Sequence, residues 1–348
     1  MMEEIWGSRI LTNGGPFHHR FKEAICHYLG VEHITLVANA TLGLMLSVRS
    51  LELQGEVITT PFSFVATGHS LLWGGVTPVF VDIDPHSLNI DVSLIERAIT
   101  PRTTAIMGVH CYGRPCDVST IDSIAQRHGL KVIYDAAHTF GVRHGGESLL
   151  LQGDLSVISF HATKVFNTFE GGAIVSRNAA SKLRLDRLIN YGIEDEVTVG
   201  SLGFNAKMSE FNAALGLLQL RHVETYVHKR QAVDLRYRKA LVNVSGIDLV
   251  HPAGTQPENY YAFPILVGHP YGLDRDGLYD KLRKAGIFSR KYFFPVLSDF
   301  PMYQNLPSAD PKLLPVAHNI ASRVLCLPMY PDLSEEDQDR IISVILNG

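Results

Sequence analysis

Short apolar runs rich in β-branched residues alternate with helical patterns through the first half of the chain. The runs cover residues 34–38, 57–60, 78–83, 104–109, 131–135 and 155–160. Between them lie helical patterns such as residues 41–53 and 117–128, of which the second begins after Asp117 and ends at Gly129. Strands that are connected through helices pair in parallel, and such a sheet is covered on both faces. We therefore predict an α/β fold with a mainly parallel sheet.

The pattern changes at about residue 209. One long helix is predicted from Ser209 to Leu241, followed by a strand over residues 260–267 and helices over residues 274–285 and 335–346. Prolines and aromatic residues interleave between residues 295 and 315, which predicts an irregular but ordered connection. A chain of 348 residues with 46% hydrophobic content exceeds the usual size of one domain. We predict a large domain at residues 1–229 and a small C-terminal α+β domain at residues 230–348.

Composition limits the class of partner. The net charge is −4 and no block of Lys and Arg is present, which argues against nucleic acid and anionic membranes and favours a small molecule. Four cysteines and no signal-peptide pattern predict a cytoplasmic protein. No apolar stretch approaches the roughly 20 residues needed to cross a bilayer. Cys111 and Cys116 have no second pair of potential ligands, so no metal site is predicted.

Lys164 and Asp135 are the two residues whose positions indicate chemistry. Lys164 ends the segment Ser-Phe-His-Ala-Thr-Lys (159–164), in a loop between two apolar runs, where loss of hydration favours the neutral, nucleophilic amine. Asp135 ends an apolar run, and the spacing allows both residues to follow adjacent strand ends, where open α/β sheets bind ligands. A lysine that can form a Schiff base and a carboxylate that can hold a pyridinium predict pyridoxal phosphate chemistry.

Two loops after other strands can complete such a site. Thr41 precedes a helical pattern and can cap that helix, whose first amide groups would then bind a phosphate; a plain helix cap is the alternative. The loop over residues 61–67 offers aromatic rings that can stack on a flat cofactor. For Phe62 we favour packing in the core.

Four segments are distinctive in combination, namely Tyr-Asp-Ala-Ala-His (134–138), Ser-Phe-His-Ala-Thr-Lys (159–164), Glu-Gly-Gly-Ala-Ile-Val (170–175) and Gly-Phe-Asn-Ala-Lys-Met-Ser-Glu (203–210). Together they resemble the nucleotide-sugar aminotransferases of the DegT/DnrJ/EryC1/StrS family. The resemblance runs from about Gly14 to the C-terminal helix. It implies the pyridoxal-phosphate-dependent aspartate-aminotransferase fold (fold type I) and a homodimer with active sites at its interface.

The resemblance also implies roles for individual residues. Lys164 matches the Schiff-base lysine and Asp135 the partner of the pyridine nitrogen. Phe64 matches a residue that stacks on the cofactor ring, and His138 one near its phenolic oxygen. The phosphate contacts match Ala40, Thr41 and Ser159, together with Asn205, which would reach the cofactor of the neighbouring subunit. Many family members have Ser-Gly-Thr where this chain has Asn39-Ala40-Thr41. Relatives that remove a sugar hydroxyl carry histidine at the lysine position, so Lys164 argues against that activity.

The segment from Ser289 to Pro295 bears on the substrate. It resembles the corresponding stretch of family members that make dTDP-4-amino-4,6-dideoxyglucose, which implies transfer of an amino group from L-glutamate to dTDP-4-keto-6-deoxyglucose, in deoxysugar and O-antigen polysaccharide biosynthesis. Arg290 and Lys291 would hold the diphosphate, and an aromatic residue such as Tyr292 would stack on the base. The alternative for the two cations is a solvated surface. A 3-keto-sugar or UDP-4-keto-sugar aminotransferase and a catalytically silent homologue are the alternative functions.

Overall fold

The structure of the chain is a computed structural model that describes residues 1–250 and 259–347. Its strands are β1 (Ile34–Val37), β2 (Glu56–Thr59), β3 (Thr77–Phe80), β4 (Thr103–Val109), β5 (Lys131–Asp135), β6 (Arg143–His144), β7 (Glu147–Ser148), β8 (Leu155–Ser159), β9 (Gly172–Ser176), β10 (Ile247–Leu249), β11 (Phe263–Val267) and β12 (Val324–Leu327). Its helices are α1 (Met2–Ser8), α2 (Pro16–Leu29), α3 (Ala40–Ser50), α4 (Val65–Trp73), α5 (Val92–Ala98), α6 (Val118–His128), α7 (Ala179–Leu188), α8 (Glu210–Gln219), α9 (Val223–Leu241), α10 (Arg275–Lys284), α11 (Pro315–Arg323) and α12 (Glu335–Leu346).

The main sheet has seven strands in the order β1-β9-β8-β5-β4-β2-β3. Strands β3, β2, β4, β5 and β8 pair in parallel, whereas β9 runs antiparallel to both of its neighbours. The predicted α/β fold with a mainly parallel sheet is confirmed. Because β5 and β8 are adjacent and parallel, the segments that follow Asp135 and Ser159 leave the same edge of the sheet.

A second, three-stranded sheet has the order β10-β11-β12 and is antiparallel. Apolar residues of this sheet form a separate buried cluster with residues of α9, α10 and α12, among them Tyr237, Phe263, Leu278, Leu325 and Ile341. The predicted domain boundary near residue 230 falls inside α9, which is continuous there, and it stays a prediction. Residues 251–258 and 348 of the predicted small domain lie outside the described residues.

The prediction of one helix from Ser209 to Leu241 is wrong. The structure has two helices, α8 and α9, separated by a turn at residues 220–222. Helix α8 packs against α2 beside the main sheet, while α9 packs against α12 and β10. A straight helix cannot present one apolar face to both partners, so the chain turns between them. The predicted strand over residues 260–267 is also shorter, because β11 begins at Phe263.

The predicted helices over residues 117–128, 274–285 and 335–346 agree with α6, α10 and α12 to within one residue at each end, whereas α3 ends at Ser50 rather than at residue 53. Asp117 caps α6, which Gly129 ends in a left-handed conformation (φ 66°), and Asp274 caps α10. The segment between residues 295 and 315 is ordered as predicted and contains three short 3₁₀ turns. Capping residues therefore predicted the ends of α6 correctly.

The cysteines have no disulfide partner, and Cys111, Cys116 and Cys326 are buried. Within residues 1–250 and 259–347, no group of three or more His, Cys, Asp or Glu side chains is arranged to hold a metal ion. In the same residues, no helix combines the length and the apolar character needed to span a bilayer.

Candidate active site

A cavity of about 720 Å³ lies at the carboxyl ends of β1, β4, β5 and β8. Its volume is in the range of pockets that bind small molecules. The structure brings most of the predicted cofactor residues together in its wall, namely Ala40, Thr41, Phe64, Asp135, His138, Ser159 and Lys164. Tyr292 also lines it.

Lys164 lies in the loop between β8 and β9. Backbone hydrogen bonds close this loop on itself, with Phe160 N donating to Gly171 O and Thr168 N to Phe160 O. Burial lowers the pKa of Lys164 to about 8, and the nearby charge of Asp135 opposes part of that shift. The side-chain Nζ donates a hydrogen bond to Tyr261 Oη at 3.2 Å. A lysine of this pKa has a substantial neutral fraction near neutral pH.

Asp135 ends β5 as a buried carboxylate with two donors. Thr67 Oγ1 donates to Oδ2 at 2.7 Å, and the amide of Ala137 donates to Oδ1 at 3.2 Å. Burial raises the pKa of Asp135, while the Thr67 hydroxyl, the Ala137 amide and Lys164 act in the opposite direction. Ser63 Oγ lies 2.7 Å from Thr67 Oγ1. Because an ionised carboxylate can only accept, Thr67 donates to Asp135 and Ser63 donates to Thr67.

His138 is a buried, neutral ring beside Asp135. Burial lowers the pKa of His138 well below its usual range, and the nearby Lys164 acts in the same direction. The imidazole stacks on the ring of Tyr261, with centroids 4.1 Å apart and planes 14° apart. The intervening residues of the sequence are Ala136 and Ala137, whose small side chains leave the carboxylate of Asp135 accessible from the cavity.

The first turn of α3 forms another part of the cavity wall. The predicted cap by Thr41 is wrong, because Asn39 is the N-cap and its side chain accepts a hydrogen bond from Leu42 N at 2.9 Å. Asn39 precedes the helix in an extended conformation, whereas Thr41 is its second residue. The amide groups of Ala40 and Thr41 have no helical acceptor, so they remain suitable donors for an anion. Gly172 allows β9 to pass close by, since a Cβ there would lie 2.9 Å from Ala40 N.

Phe62 and Phe64 have different environments although they lie two residues apart. Phe62 is fully buried and contacts Tyr112 and Phe293 edge-on, as predicted for a core residue. Phe64 is 56% exposed and lines the cavity. Its ring is therefore free to contact a ligand.

A second cavity of about 350 Å³ adjoins the first and shares Phe64 and Tyr292 with it. Arg290 and Lys291 line only this second cavity. Lys291 Nζ pairs with Asp276 Oδ1 at 2.6 Å and lies over the ring of Tyr279. Arg290 is exposed, and its side chain makes no ion pair with any residue in 1–250 or 259–347. Among the described residues, Lys291 therefore has a carboxylate partner and Arg290 has none.

Asn205 does not line either cavity. It is exposed and forms an isolated β-bridge with Asn190. Large apolar side chains are exposed close to it in the sequence, namely Tyr191, Val197, Val199, Leu202 and Phe204. Its role toward a neighbouring subunit stays a prediction.

The sequence analysis missed Tyr261, Thr67 and Ser63 as site residues. Tyr261 was included in a predicted strand and was assigned no role. Thr67 and Ser63 lie in the loop that was noted for its aromatic residues. The spacing of two hydroxyl residues by four positions at the start of a helical pattern was the signal available for this pair.

Sequence comparison relates the whole chain to known proteins. The sequence model described as the DegT/DnrJ/EryC1/StrS aminotransferase family matches residues 1–346. The chain is 52% identical over 345 residues to a dTDP-4-amino-4,6-dideoxy-D-glucose transaminase of Shigella dysenteriae, and 49% identical over 346 residues to one of Escherichia coli. Each alignment covers 99% of this chain and 93% of the relative.

Structure comparison leads to the same group of proteins. The crystal structure of DesI with its TDP-sugar product matches with a TM-score of 0.94 and 35% identity, over 99% of this chain and 88% of that one. A structure of NtdA from Bacillus subtilis with bound PMP cofactor matches with a TM-score of 0.90 and 30% identity, over 99% and 80% of the two chains. These similarities confirm the predicted fold type I architecture.

Proposed function

The chain belongs to the DegT/DnrJ/EryC1/StrS aminotransferase family, and we propose that it transfers the amino group of L-glutamate to dTDP-4-keto-6-deoxyglucose, giving dTDP-4-amino-4,6-dideoxyglucose. The observation that carries this proposal is the 49–52% identity to two transaminases of that product over 99% of the chain. The enzyme class is an aminotransferase and its cofactor is pyridoxal phosphate.

The donors around the larger cavity fit this cofactor. We propose that Lys164 holds it covalently, that Asp135 pairs with its ring nitrogen and that Phe64 stacks on its ring. His138 would then face its phenolic oxygen, and the phosphate contacts would come from Ala40, Thr41 and Ser159. When bound, pyridoxal phosphate supplies an electrophilic carbonyl and a ring that accepts electrons. Two features support these assignments. The first-turn amides of α3 suit the phosphate of the cofactor, and the buried carboxylate of Asp135 suits a protonated ring nitrogen.

The remaining chemistry is proton transfer, and it falls to Lys164. The lowered pKa of the amine leaves it partly neutral near neutral pH, so it would accept a proton from the α-carbon of the amino donor and then donate that proton to the cofactor. The hydrogen bonds that Thr67 and Ala137 donate to Asp135 favour its anionic form and oppose the effect of burial, which raises the pKa of Asp135. Asp135 is buried and Lys164 is half-buried, and reduced contact with water strengthens the electrostatic effect of both groups.

Thr67→Val is expected to reduce turnover about tenfold, because it keeps the side-chain shape but removes one hydrogen bond to a buried charge, a bond typically worth about 1.5–3 kcal/mol. Thr67→Ser keeps the hydroxyl and should retain activity. Steady-state kinetics and the dissociation constant of the cofactor are the measurements. Equal activity of the valine and serine variants would show that the hydroxyl does not support Asp135.

The second cavity is where we place the nucleotide diphosphate of the sugar substrate. Among the described residues Arg290 has no ion-pair partner, whereas Lys291 pairs with Asp276. Asp276 also pairs with Arg275. We therefore assign the diphosphate contact to Arg290, with Lys291 ordering the segment around it and Tyr292 available for stacking.

Arg290→Ala is expected to raise the KM for the keto-sugar about tenfold, since a lost charge-assisted contact costs about 1.5–3 kcal/mol. Lys291→Ala should have a smaller effect on this constant. The reaction with L-glutamate alone needs no nucleotide and should be unchanged in both variants. Stopped-flow absorbance separates the two half-reactions. A loss of both half-reactions would indicate misfolding. No change in either would show that Arg290 is a solvated surface residue that does not contact the substrate.

A homodimer with shared active sites is the proposed assembly. The exposed apolar residues between Tyr191 and Phe204 support it, because clusters of this kind mark interaction surfaces. Asn205 follows this segment directly and would contact the phosphate of the neighbouring subunit's cofactor. Sedimentation should show a dimer.

Mixing Lys164→Ala and Asn205→Ala subunits should restore activity. In a mixed dimer one site carries both lesions and the other carries neither, so about a quarter of all sites should be intact after random exchange. The activity of the mixture is compared with that of each variant alone. A mixture of two batches of Lys164→Ala controls for the mixing procedure. If subunits exchange and no activity returns, Asn205 does not act in the neighbouring site.

A panel of keto-sugars tests the choice of substrate. The loaded enzyme should lose its yellow colour with L-glutamate and regain it fastest with dTDP-4-keto-6-deoxyglucose. The matched substrates are UDP-linked 4-keto and dTDP-linked 3-keto sugars, which represent the alternative functions. Faster return of the yellow colour with either would show that this sugar, and not dTDP-4-keto-6-deoxyglucose, is the preferred substrate. A protein that never loses colour with any amino donor would be catalytically silent.

A further inference from the structure

We propose that Tyr261 is a positioning residue for Lys164, whose amine it holds through its hydroxyl whenever the lysine is not joined to the cofactor. This inference rests on the proposed function, in which Lys164 carries protons. Tyr261 lies in the wall of the larger cavity, and no role was predicted for it from the sequence.

The contact itself is direct. Lys164 Nζ lies 3.2 Å from Tyr261 Oη and 4.8 Å from the centroid of the Tyr261 ring. In the described part of the chain, this is the hydrogen bond that the amine makes. Asp135 acts on the amine through its charge. Tyr261 is therefore the group that sets the direction in which the free amine points.

Tyr261 is held at its ring and at its backbone. One face stacks on His138 at 4.1 Å, with the planes 14° apart. The backbone carbonyl accepts from Arg230 Nη1 at 3.3 Å, and the same nitrogen donates to the carbonyls of Tyr260 and Met329. Arg230 is buried on α9, and burial lowers its pKa to about 10, which still leaves it charged near neutral pH. A hydroxyl on a ring held in this way has little freedom to move.

A hydroxyl suits a proton-carrying lysine because it serves both forms of the amine. Burial raises the pKa of Tyr261, so the phenol keeps its proton. A protonated phenol accepts from the ammonium form of Lys164 and donates to the neutral form. The contact therefore persists as the amine gains and loses its proton, and the amine stays aimed into the cavity between the two transfers. Errors of about 1 Å in such positions can cost about 10² in rate.

Tyr261→Phe isolates the hydroxyl, since it keeps the ring and its stacking on His138. The rate of the half-reaction with L-glutamate should fall about ten- to hundredfold. The kinetic isotope effect with α-deuterated glutamate should rise, because proton transfer becomes the slower step. The KM for glutamate and the dissociation constant of the cofactor should stay at wild-type values. Tyr271→Phe is the matched control, because it removes another tyrosine hydroxyl, bonded to Ile345 O at 2.7 Å and outside both cavities.

A second readout uses the protein without cofactor. Trinitrobenzenesulfonate modifies neutral amines, and peptide mapping reports the fraction of Lys164 modified at each pH. The rate of modification should be half-maximal near pH 8 in the wild type. This midpoint should shift to lower pH in Tyr261→Phe, since the ammonium form loses the stronger, charge-assisted bond.

The proposal requires that Tyr261→Phe both slows the half-reaction with L-glutamate and shifts the modification profile of Lys164 to lower pH. A half-reaction within about threefold of wild type, or an unshifted modification profile, overturns it. If the wild type forms no covalent bond between Lys164 and pyridoxal phosphate, the proposed function fails instead. The modification experiment then still decides whether Tyr261 holds the amine, because it needs no cofactor.

Discussion

Lys164→Ala should abolish transamination while leaving the fold and the cavity in place. The variant loses both the covalent attachment of the cofactor and the proton carrier, so turnover should fall by about 10³-fold or more. Cofactor should still bind, because the phosphate donors and Asp135 remain. Borohydride reduction followed by peptide mapping should label Lys164 in the wild type and no lysine in the variant.

Lys229→Ala is the control for this prediction. Lys229 is an exposed lysine of α9 that pairs with Asp332 at 2.8 Å and lines neither cavity. Its loss should change neither labelling nor turnover. Wild-type turnover by Lys164→Ala, or a borohydride label on another lysine, would reject the assignment of Lys164.

Asp135→Asn should reduce turnover by about 10²–10³, because the amide keeps the shape of the carboxylate but not the charge that stabilises the cofactor ring as it accepts electrons. Cofactor affinity should fall less, since the phosphate and covalent contacts are untouched. The measurements are steady-state kinetics and cofactor titration.

Asp82→Asn is the matched control because Asp82 is also a buried aspartate. Its carboxylate accepts from the amides of Val316 and Ala317 at the start of α11 and lies outside both cavities. The control variant should lose stability but not two orders of magnitude in turnover. An Asp135→Asn enzyme within a factor of about three of wild type would show that the carboxylate does not hold the ring nitrogen.

The strand pattern predicted the central part of the site correctly. Asp135 ends β5 and Lys164 follows β8, which pairs with β5 in parallel, and the apolar runs predicted that both strands are buried. Carboxyl ends of such strands meet at one edge, so the two residues were expected to lie together. The wall of the cavity also includes Tyr261, Tyr292 and Phe293, which the strand pattern does not place there.

Contacts between distant segments could not be predicted in this way. Tyr261 is 97 residues from Lys164 in the sequence, and Thr67 is 68 residues from Asp135. The sequence around each of these residues does not specify its partner. The contacts depend on how the second sheet and α4 pack against the main sheet. The break between α8 and α9 has the same origin, since it follows from two packing partners rather than from a Pro or Gly.

Glu210 shows how a recognised motif can have a structural role. It ends the segment at residues 203–210 that resembles the family, yet it lies fully buried away from the cavity. Its carboxylate accepts from the amides of Gly15, Phe17 and His18 at the start of α2. A carboxylate at this position stabilises the helix end and joins α2 to α8.

The most direct test of the central claim is the structure of the product. The enzyme is loaded with pyridoxal phosphate and incubated with L-glutamate and dTDP-4-keto-6-deoxyglucose, and the sugar product is analysed by NMR. Nitrogen on carbon 4 in the equatorial, gluco arrangement is the predicted result. Nitrogen on carbon 3, an axial amine on carbon 4, or no aminated sugar at all would contradict it.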